Sequence, residues 1–195
     1  MEHKRRTFFS SDHHFSHNNI IKYANRPFKN VDEMNEAMIE RHNSVVTPQD
    51  IVWFIGDFTF ERDEERVRRT IRRLNGEINF VKGNHDKPVM SPRIRAEFNQ
   101  FVNSCHHEIY VPDSTLEHGR QAITLCHFAM RVWNKSHHGA FHLYGHSHGS
   151  LPEDPNSRSF DIGVDEWDFY PVSYEQVKAK MATKNWKPID HHGAD

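Results

Sequence analysis

Short apolar runs of strand length recur along this chain, and five of them close on residues that can donate a lone pair to a cation. "TFFSSDHH" leads into Asp12 and His14, "IVWFIGD" into Asp57, and "INFVKGNHD" into Asn84, His85 and Asp86. "ITLCH" ends on His127, and "HLYGHSH" ends on His146 and His148. The alternation of such runs with helix-like segments predicts an α/β fold. Donors at the carboxyl ends of strands lie where open α/β sheets bind their ligands.

The segments between the runs support that reading. Val31 to Val45 predicts a helix, with Asp32 as N-cap and Met34, Met38 and His42 stepping down one face. Glu61 to Asn75 predicts another, with acids in its first turn, arginines in its last, and Gly76 as its stop. Its "RVRRTIRR" invites a nucleic-acid reading. However, Val67, Ile71 and Leu74 form an apolar stripe, so the arginines read as a solvated face matched to the helix dipole. A last helix follows Ser173, which has capping-box spacing to Gln176; Tyr174, Val177 and Met181 form its buried stripe.

The 195 residues predict one domain spanning the chain, with 190–195 as a frayed tail in which His191 and His192 could collect metal adventitiously. A net charge of −2 gives no global argument for a polyanionic partner. No apolar stretch has membrane-spanning length, and "MEHKRRTFF" lacks the apolar core of a signal peptide. Two cysteines, Cys105 and Cys126, are too few for a disulfide framework; read as free thiols, they fit a cytoplasmic protein. Nothing points to an obligate protein partner.

Asp12 and His14 are two residues apart, so an extended backbone would point both the same way and send His13 to the opposite side; His146 and His148 repeat the spacing. Gly56, Gly83 and Gly145 precede donors, where the chain must turn sharply or approach another group closely. Seven donors (Asp12, His14, Asp57, Asn84, His127, His146 and His148) exceed what one catalytic ion with open positions takes. Two ions need a bridge, and a carboxylate such as Asp57 can serve. Such a pair attracts phosphate and lowers the pKa of a shared water.

Taken together, Asp12-x-His14, Gly56-Asp57, Gly83-Asn84-His85-Asp86, His127 and Gly145-His146-x-His148 resemble the calcineurin-like metallophosphoesterase superfamily. "DHHFSHNNII", "HFAMRVWN" and "DIGVDEWDFYPVS" are similar to a compact prokaryotic and phage branch of it. The resemblance implies a four-layer α/β/β/α sandwich with two mixed central sheets. It implies that Asp12, His14, Asp57 and His148 hold one ion and that Asp57, Asn84, His127 and His146 hold the other. His85 then stands beside the metals as a catalytic residue, with Asp86 orienting its imidazole. Cys126 takes a place usually held by glycine and packs inward.

The expected activity is hydrolysis of a phosphodiester, with a nucleotide or nucleic acid as substrate, by metal-activated hydroxide. A phosphomonoesterase with the same donors and a non-catalytic scaffold on the same fold are the alternatives. Nitrogen and oxygen donors suit Mn²⁺, Fe²⁺, Ni²⁺, Co²⁺ or Zn²⁺ over Mg²⁺ or Ca²⁺, with Mn²⁺ favoured. Candidate substrate contacts are His17, which otherwise serves a structural turn, and Arg26 and Arg131, which otherwise are ordinary surface arginines. Trp133 offers a base-stacking face or a core residue, and His137 and His138 share its loop. Asp161 and Asp165 read as structural.

Overall fold

The apolar runs pair into two sheets, and the computed structural model, which describes residues 5–190, shows how they meet. The first sheet comprises β1 (Thr7–Ser10), β2 (Ile51–Ile55), β3 (Glu77–Val81), β4 (Gln100–Val102) and β9 (Val172–Ser173). Its order is β4-β3-β2-β1-β9, with β9 alone antiparallel. The second comprises β5 (His106–Pro112), β6 (Arg120–Cys126), β7 (Phe141–Tyr144) and β8 (Ser159–Asp161), in that order. β5 is antiparallel to β6, while β6, β7 and β8 are parallel. Both sheets are therefore mixed, and the fold is α/β. The helices are α1 (Ile20–Tyr23), α2 (Val31–Val45), α3 (Glu64–Arg72), α4 (Pro92–Arg95) and α5 (Tyr174–Ala182).

Alternation along the strands divides the core. Phe8, Val52, Phe54, Ile78 and Phe80 face Met34, Met38, Val67 and Ile71 of α2 and α3. Phe9, Trp53, Ile55 and Val81 turn the other way and pack on Ile123, Leu125, Leu143 and Phe160 of the second sheet. Helix α5 adds Tyr174, Val177 and Met181 to this inter-sheet core. It is anchored at the ends of the strands away from the donors, with the Tyr174 hydroxyl on Asp113 (2.7 Å) just past β5. The outer face of the second sheet is covered by chain 128–140. There the Met130 N–H donates to His142 Nε2 (3.0 Å) and Trp133 packs on the same imidazole.

The helix boundaries refine the expectations. Helix α2 spans Val31–Val45 as its periodicity predicts, but its cap is Asn30, which accepts from Glu33 N–H at 2.9 Å, rather than Asp32. Helix α3 starts later than expected because Asp63 caps it, accepting from Arg66 N–H (2.9 Å). Four of the five arginines in "RVRRTIRR" are matched by acids: Arg66 pairs with Glu61, Arg68 and Arg72 share Glu97, and Arg73 pairs with Glu36. The Ser173–Gln176 capping box forms as expected. The expected tail begins inside the described residues, where Asp190 pairs with His137 (3.3 Å); His191 and His192 lie outside them. No helix of the described residues is long and apolar enough to cross a membrane.

Candidate metal centre

Because β1, β2 and β3 are parallel, as are β6 and β7, their carboxyl ends lie at one edge of each sheet. The Val164 N–H donates to Ser11 O (3.1 Å), tying the chain after β8 to the end of β1 and bringing the two edges together. Asp12, His14 and His148 then form one group with donor atoms within 4.8 Å of one another, and Asp57, His127 and His146 form another. Asp57 Oδ2 reaches toward both, lying 3.7 Å from His14 Nε2 and 3.4 Å from His127 Nε2. Asn84 Oδ1 lies 2.9 Å from His127 Nε2 and 3.0 Å from His146 Nδ1, which adds the seventh donor to the second group.

The backbone reaches this arrangement through turns rather than extension. Asp12, His14, Asp57, His146 and His148 have φ of 59°, 51°, 52°, 69° and 47°, all in the left-handed region. Each such residue costs roughly 1–3 kcal/mol unless its surroundings enforce it. Here the Asp12 and His14 N–H groups donate to Gly56 O (3.1 Å) and Asp57 O (2.9 Å), locking one turn to the other. The expected extended backbone is thus corrected at both pairs. Asp12 and His14 still share a group, whereas His146 and His148 divide between the two. His13 does turn away, stacking on Phe15 at 5.3 Å in the core.

Two glycines earn their positions by close approach. A Cβ on Gly83 would sit 2.4 Å from Asp57 Oδ1, and one on Gly145 would sit 2.3 Å from Asp12 Oδ2.

Charge and hydrogen bonding fit a cation. Asp12 Oδ1 and both ring nitrogens of His14 are buried without a hydrogen-bond partner, a condition native proteins avoid. Burial pushes Asp12 up to about 7 and His14 down to about 3. The imidazole is therefore neutral with a lone pair to give, and the carboxylate is short of positive charge. A divalent ion would satisfy both. Burial alone would raise Asp57, but the hydrogen bond and charge of His127 bring it down to about 2. His127 donates from Nδ1 to Ile55 O (2.9 Å), which turns Nε2 toward Asp57 and Asn84.

Several residues take roles that the sequence did not reveal. Asp165 accepts from His148 Nδ1 at 2.6 Å, leaving Nε2 for an ion. Asp161 accepts from Gly149 N–H (3.2 Å) and Gly163 N–H (2.7 Å), fixing the turn after His148. Both follow a sixth apolar run, "RSFDIGVD", so the rule that marked the other donors also marks them. Phe60 stacks on His17 (3.8 Å) and packs on His14 (5.3 Å) and His85 (5.1 Å). Phe128 flanks His146 (4.7 Å) on the other side.

Of the remaining candidates, His85 is exposed, and its N–H donates to Asp57 Oδ1 (2.8 Å). His17 joins the same rim. Asp86 is corrected: it accepts from the N–H groups of Asp57 (2.8 Å), Phe58 (2.9 Å) and Gly83 (2.6 Å), not from the His85 ring. A fully buried carboxylate needs several donors, and these backbone amides supply them. Arg26 is corrected too. Its side chain is buried, pairs with Asp165 through Nε (2.8 Å) and NH2 (2.9 Å), and donates to Asp12 O (2.7 Å) and His13 O (2.9 Å). Its fifth N–H, on NH1, meets Met34 Sδ at 3.5 Å, so no donor is left for a substrate. Arg131 lines a separate cavity of about 280 Å³ with Tyr144 and Trp186, to which none of the seven donors contributes. Trp133 is a core residue, its Nε1–H on Ala140 O (3.0 Å).

No protein-family model matches the chain. It is 34% identical over 179 residues to the uncharacterized protein MJ1445 of Methanocaldococcus jannaschii, covering 89% of each. It is 25% identical over 181 residues to the Gene 66 protein of Mycobacterium phage L5, covering 83% of this chain and 87% of that protein. Among solved structures it is similar to the protein of unknown function AQ665 from Aquifex aeolicus, with a TM-score of 0.66 at 19% identity over 91% of this chain and 100% of the other. That likeness speaks to the fold alone.

Proposed function

The chain belongs to the same family as MJ1445 of Methanocaldococcus jannaschii, and for this member we propose a dinuclear metal-dependent phosphodiesterase of the calcineurin-like metallophosphoesterase type. One observation carries the reading: a single carboxylate, Asp57, stands between two groups of donors, 3.7 Å from His14 and 3.4 Å from His127. Two divalent cations, Mn²⁺ favoured by this nitrogen and oxygen set, would supply Lewis acidity that offsets phosphoryl charge and acidifies water. Asp12, His14, Asp57 and His148 would hold one, and Asp57, Asn84, His127 and His146 the other. The two sheets sharing one core support the finer fold reading, a sandwich of this superfamily.

The chain's own groups divide the remaining work. His85 is the motif histidine outside both donor groups, and its exposed ring can carry a proton to the leaving oxygen as the P–O bond breaks. His17, stacked on Phe60 beside it, is a polar contact for substrate. Asp165 and Arg26 position His148 and the Asp12–His13 backbone rather than touching substrate. A diester is preferred to a monoester because Asn84, His85 and His146 are exposed, so the donor edge is open to a phosphate carrying groups on both sides. Nucleotides and nucleic acid are the substrate class that this chemistry fits.

The test is hydrolysis by metal-reconstituted protein of bis(p-nitrophenyl) phosphate against p-nitrophenyl phosphate. A higher kcat/KM on the diester is expected. The reverse order favours the phosphomonoesterase. No hydrolysis of either ester with Mn²⁺ or a second transition metal favours the scaffold.

A further inference from the structure

His85 faces a cavity of about 540 Å³ lined by Phe60, Arg62, Glu64, His85, Lys87, Pro88 and Ser91. This volume falls within the range of small-molecule sites. From it we infer that the cavity receives the leaving group and that Arg62 and Lys87 select a leaving group bearing its own phosphate. The inference rests on the phosphodiesterase reading for the role of the occupant, though not for its charge.

Three observations converge. First, a group that protonates the leaving oxygen must stand on the leaving-group side, so the cavity that His85 lines is where that group departs. Second, the cavity is electropositive. Arg62 and Lys87 are exposed, and among the described residues neither side chain has a carboxylate partner, whereas Arg68, Arg72 and Arg73 nearby on the chain are all paired. Glu64 offsets one of the two charges and leaves an excess of one. Third, Phe60 offers an apolar wall whose ring is held by His17 at 3.8 Å. An aromatic wall beside two cations suits a nucleoside whose base or sugar packs on the ring while a terminal phosphate meets Arg62 and Lys87. A strand of nucleic acid, or a dinucleotide with a terminal phosphate, presents such a leaving group; a cyclic mononucleotide does not.

The cavity lies outside both donor groups, so its charge preference can be read without metal. Thymidine 3′,5′-bisphosphate titrated by calorimetry into chelator-treated protein should bind more tightly than thymidine. Lys87→Ala and Arg62→Ala should each weaken it by about two- to fivefold, as expected for an exposed ion pair. With metal-loaded protein, the dinucleotides pTpT and TpTp are compared with TpT. One terminal phosphate should raise kcat/KM, and the ratio of phosphorylated to unphosphorylated substrate should fall toward one in both variants. A bisphosphate that binds no better than thymidine, or whose affinity is unchanged in both variants, overturns the inference. Protein that binds the bisphosphate as described yet hydrolyses no phosphate ester retains the anion-selective cavity and overturns the phosphodiesterase reading instead.

Discussion

His148 Nδ1 lies 2.6 Å from Asp165 Oδ2, and the same carboxylate accepts two hydrogen bonds from the guanidinium of Arg26. Arg26 also donates to the carbonyls of Asp12 and His13, so this chain of contacts reaches two members of one donor group from behind. Burial opposes a charge on His148, but the hydrogen bond to Asp165 and the carboxylates of Asp12 and Asp165 together raise the imidazole's pKa. A carboxylate behind a histidine fixes its tautomer and makes the outward nitrogen a better ligand.

Asp165→Asn should therefore weaken the Asp12–His14–His148 group specifically. Partners of this kind typically contribute 10- to 100-fold in metal affinity. Competition titrations with a chelator should show one weakened site and one that keeps its affinity. Equal weakening of both sites would mean that Asp165 acts on the fold as a whole.

Asp57 makes a contrasting prediction. Because its Oδ2 faces both groups, Asp57→Asn should weaken both sites together, while Asp12→Asn acts mainly on one. Metal analysis of the loaded wild type should approach two ions per chain, as two donor groups require. A single ion whose affinity survives Asp57→Asn would sink the dinuclear arrangement.

His85 and Asp86, adjacent in sequence, should behave differently. His85→Ala should keep both ions yet lose roughly 10²–10⁴ in kcat on esters with poor leaving groups, and far less on nitrophenyl esters. Asp86→Asn should instead lower stability and metal affinity, because it weakens a contact to three backbone N–H groups that hold Asp57 and Gly83. Loss of an ion in His85→Ala would make His85 a ligand. An Asp86→Asn variant with native stability and metal content but low kcat would restore its role in orienting His85.

The contrast shows which parts of the site were legible in sequence. The seven donors could be read because each closes an apolar run, and parallel pairing carries run ends to a common edge. Partnerships across long separations could not. Arg26 looked like an anion clamp because guanidinium groups often are, and Asp165, 139 residues away, claims it only once β8 lies beside β7. The local backbone also escaped, since a D-x-H spacing fits both an extended strand and successive left-handed turns. The short strands β4 and β9 carry too few residues for a periodic signal. The α/β class was legible from the alternation of runs and helical segments, whereas two mixed sheets followed only from the resemblance; which runs share a sheet depended on pairings between distant segments, such as β1 with β9.

Two histidines away from the donors predict how stability responds to pH. His42 Nε2 donates to Asn75 O (2.8 Å), and His142 donates from Nδ1 to Thr124 O (3.1 Å) while its Nε2 accepts from Met130 N–H. Burial brings each down to about 4, against the smaller opposing effect of these carbonyls. Unfolded, each titrates near 6.5. Between pH 6.5 and about 4 the unfolded chain therefore binds protons that the folded chain refuses. The stabilisation is full above 6.5 and is lost as pH falls toward 4, at about 1.4 kcal/mol per pH unit for each histidine. His142→Gln retains a donor and an acceptor but cannot ionise, so it serves as the reference. Urea unfolding of metal-free wild type and variant from pH 7 to 4.5 should show the wild type losing ground steadily to the variant below pH 6.5. A difference between the two that stays constant with pH would mean that His142 is protonated within the fold, and its burial against Trp133 would need another account.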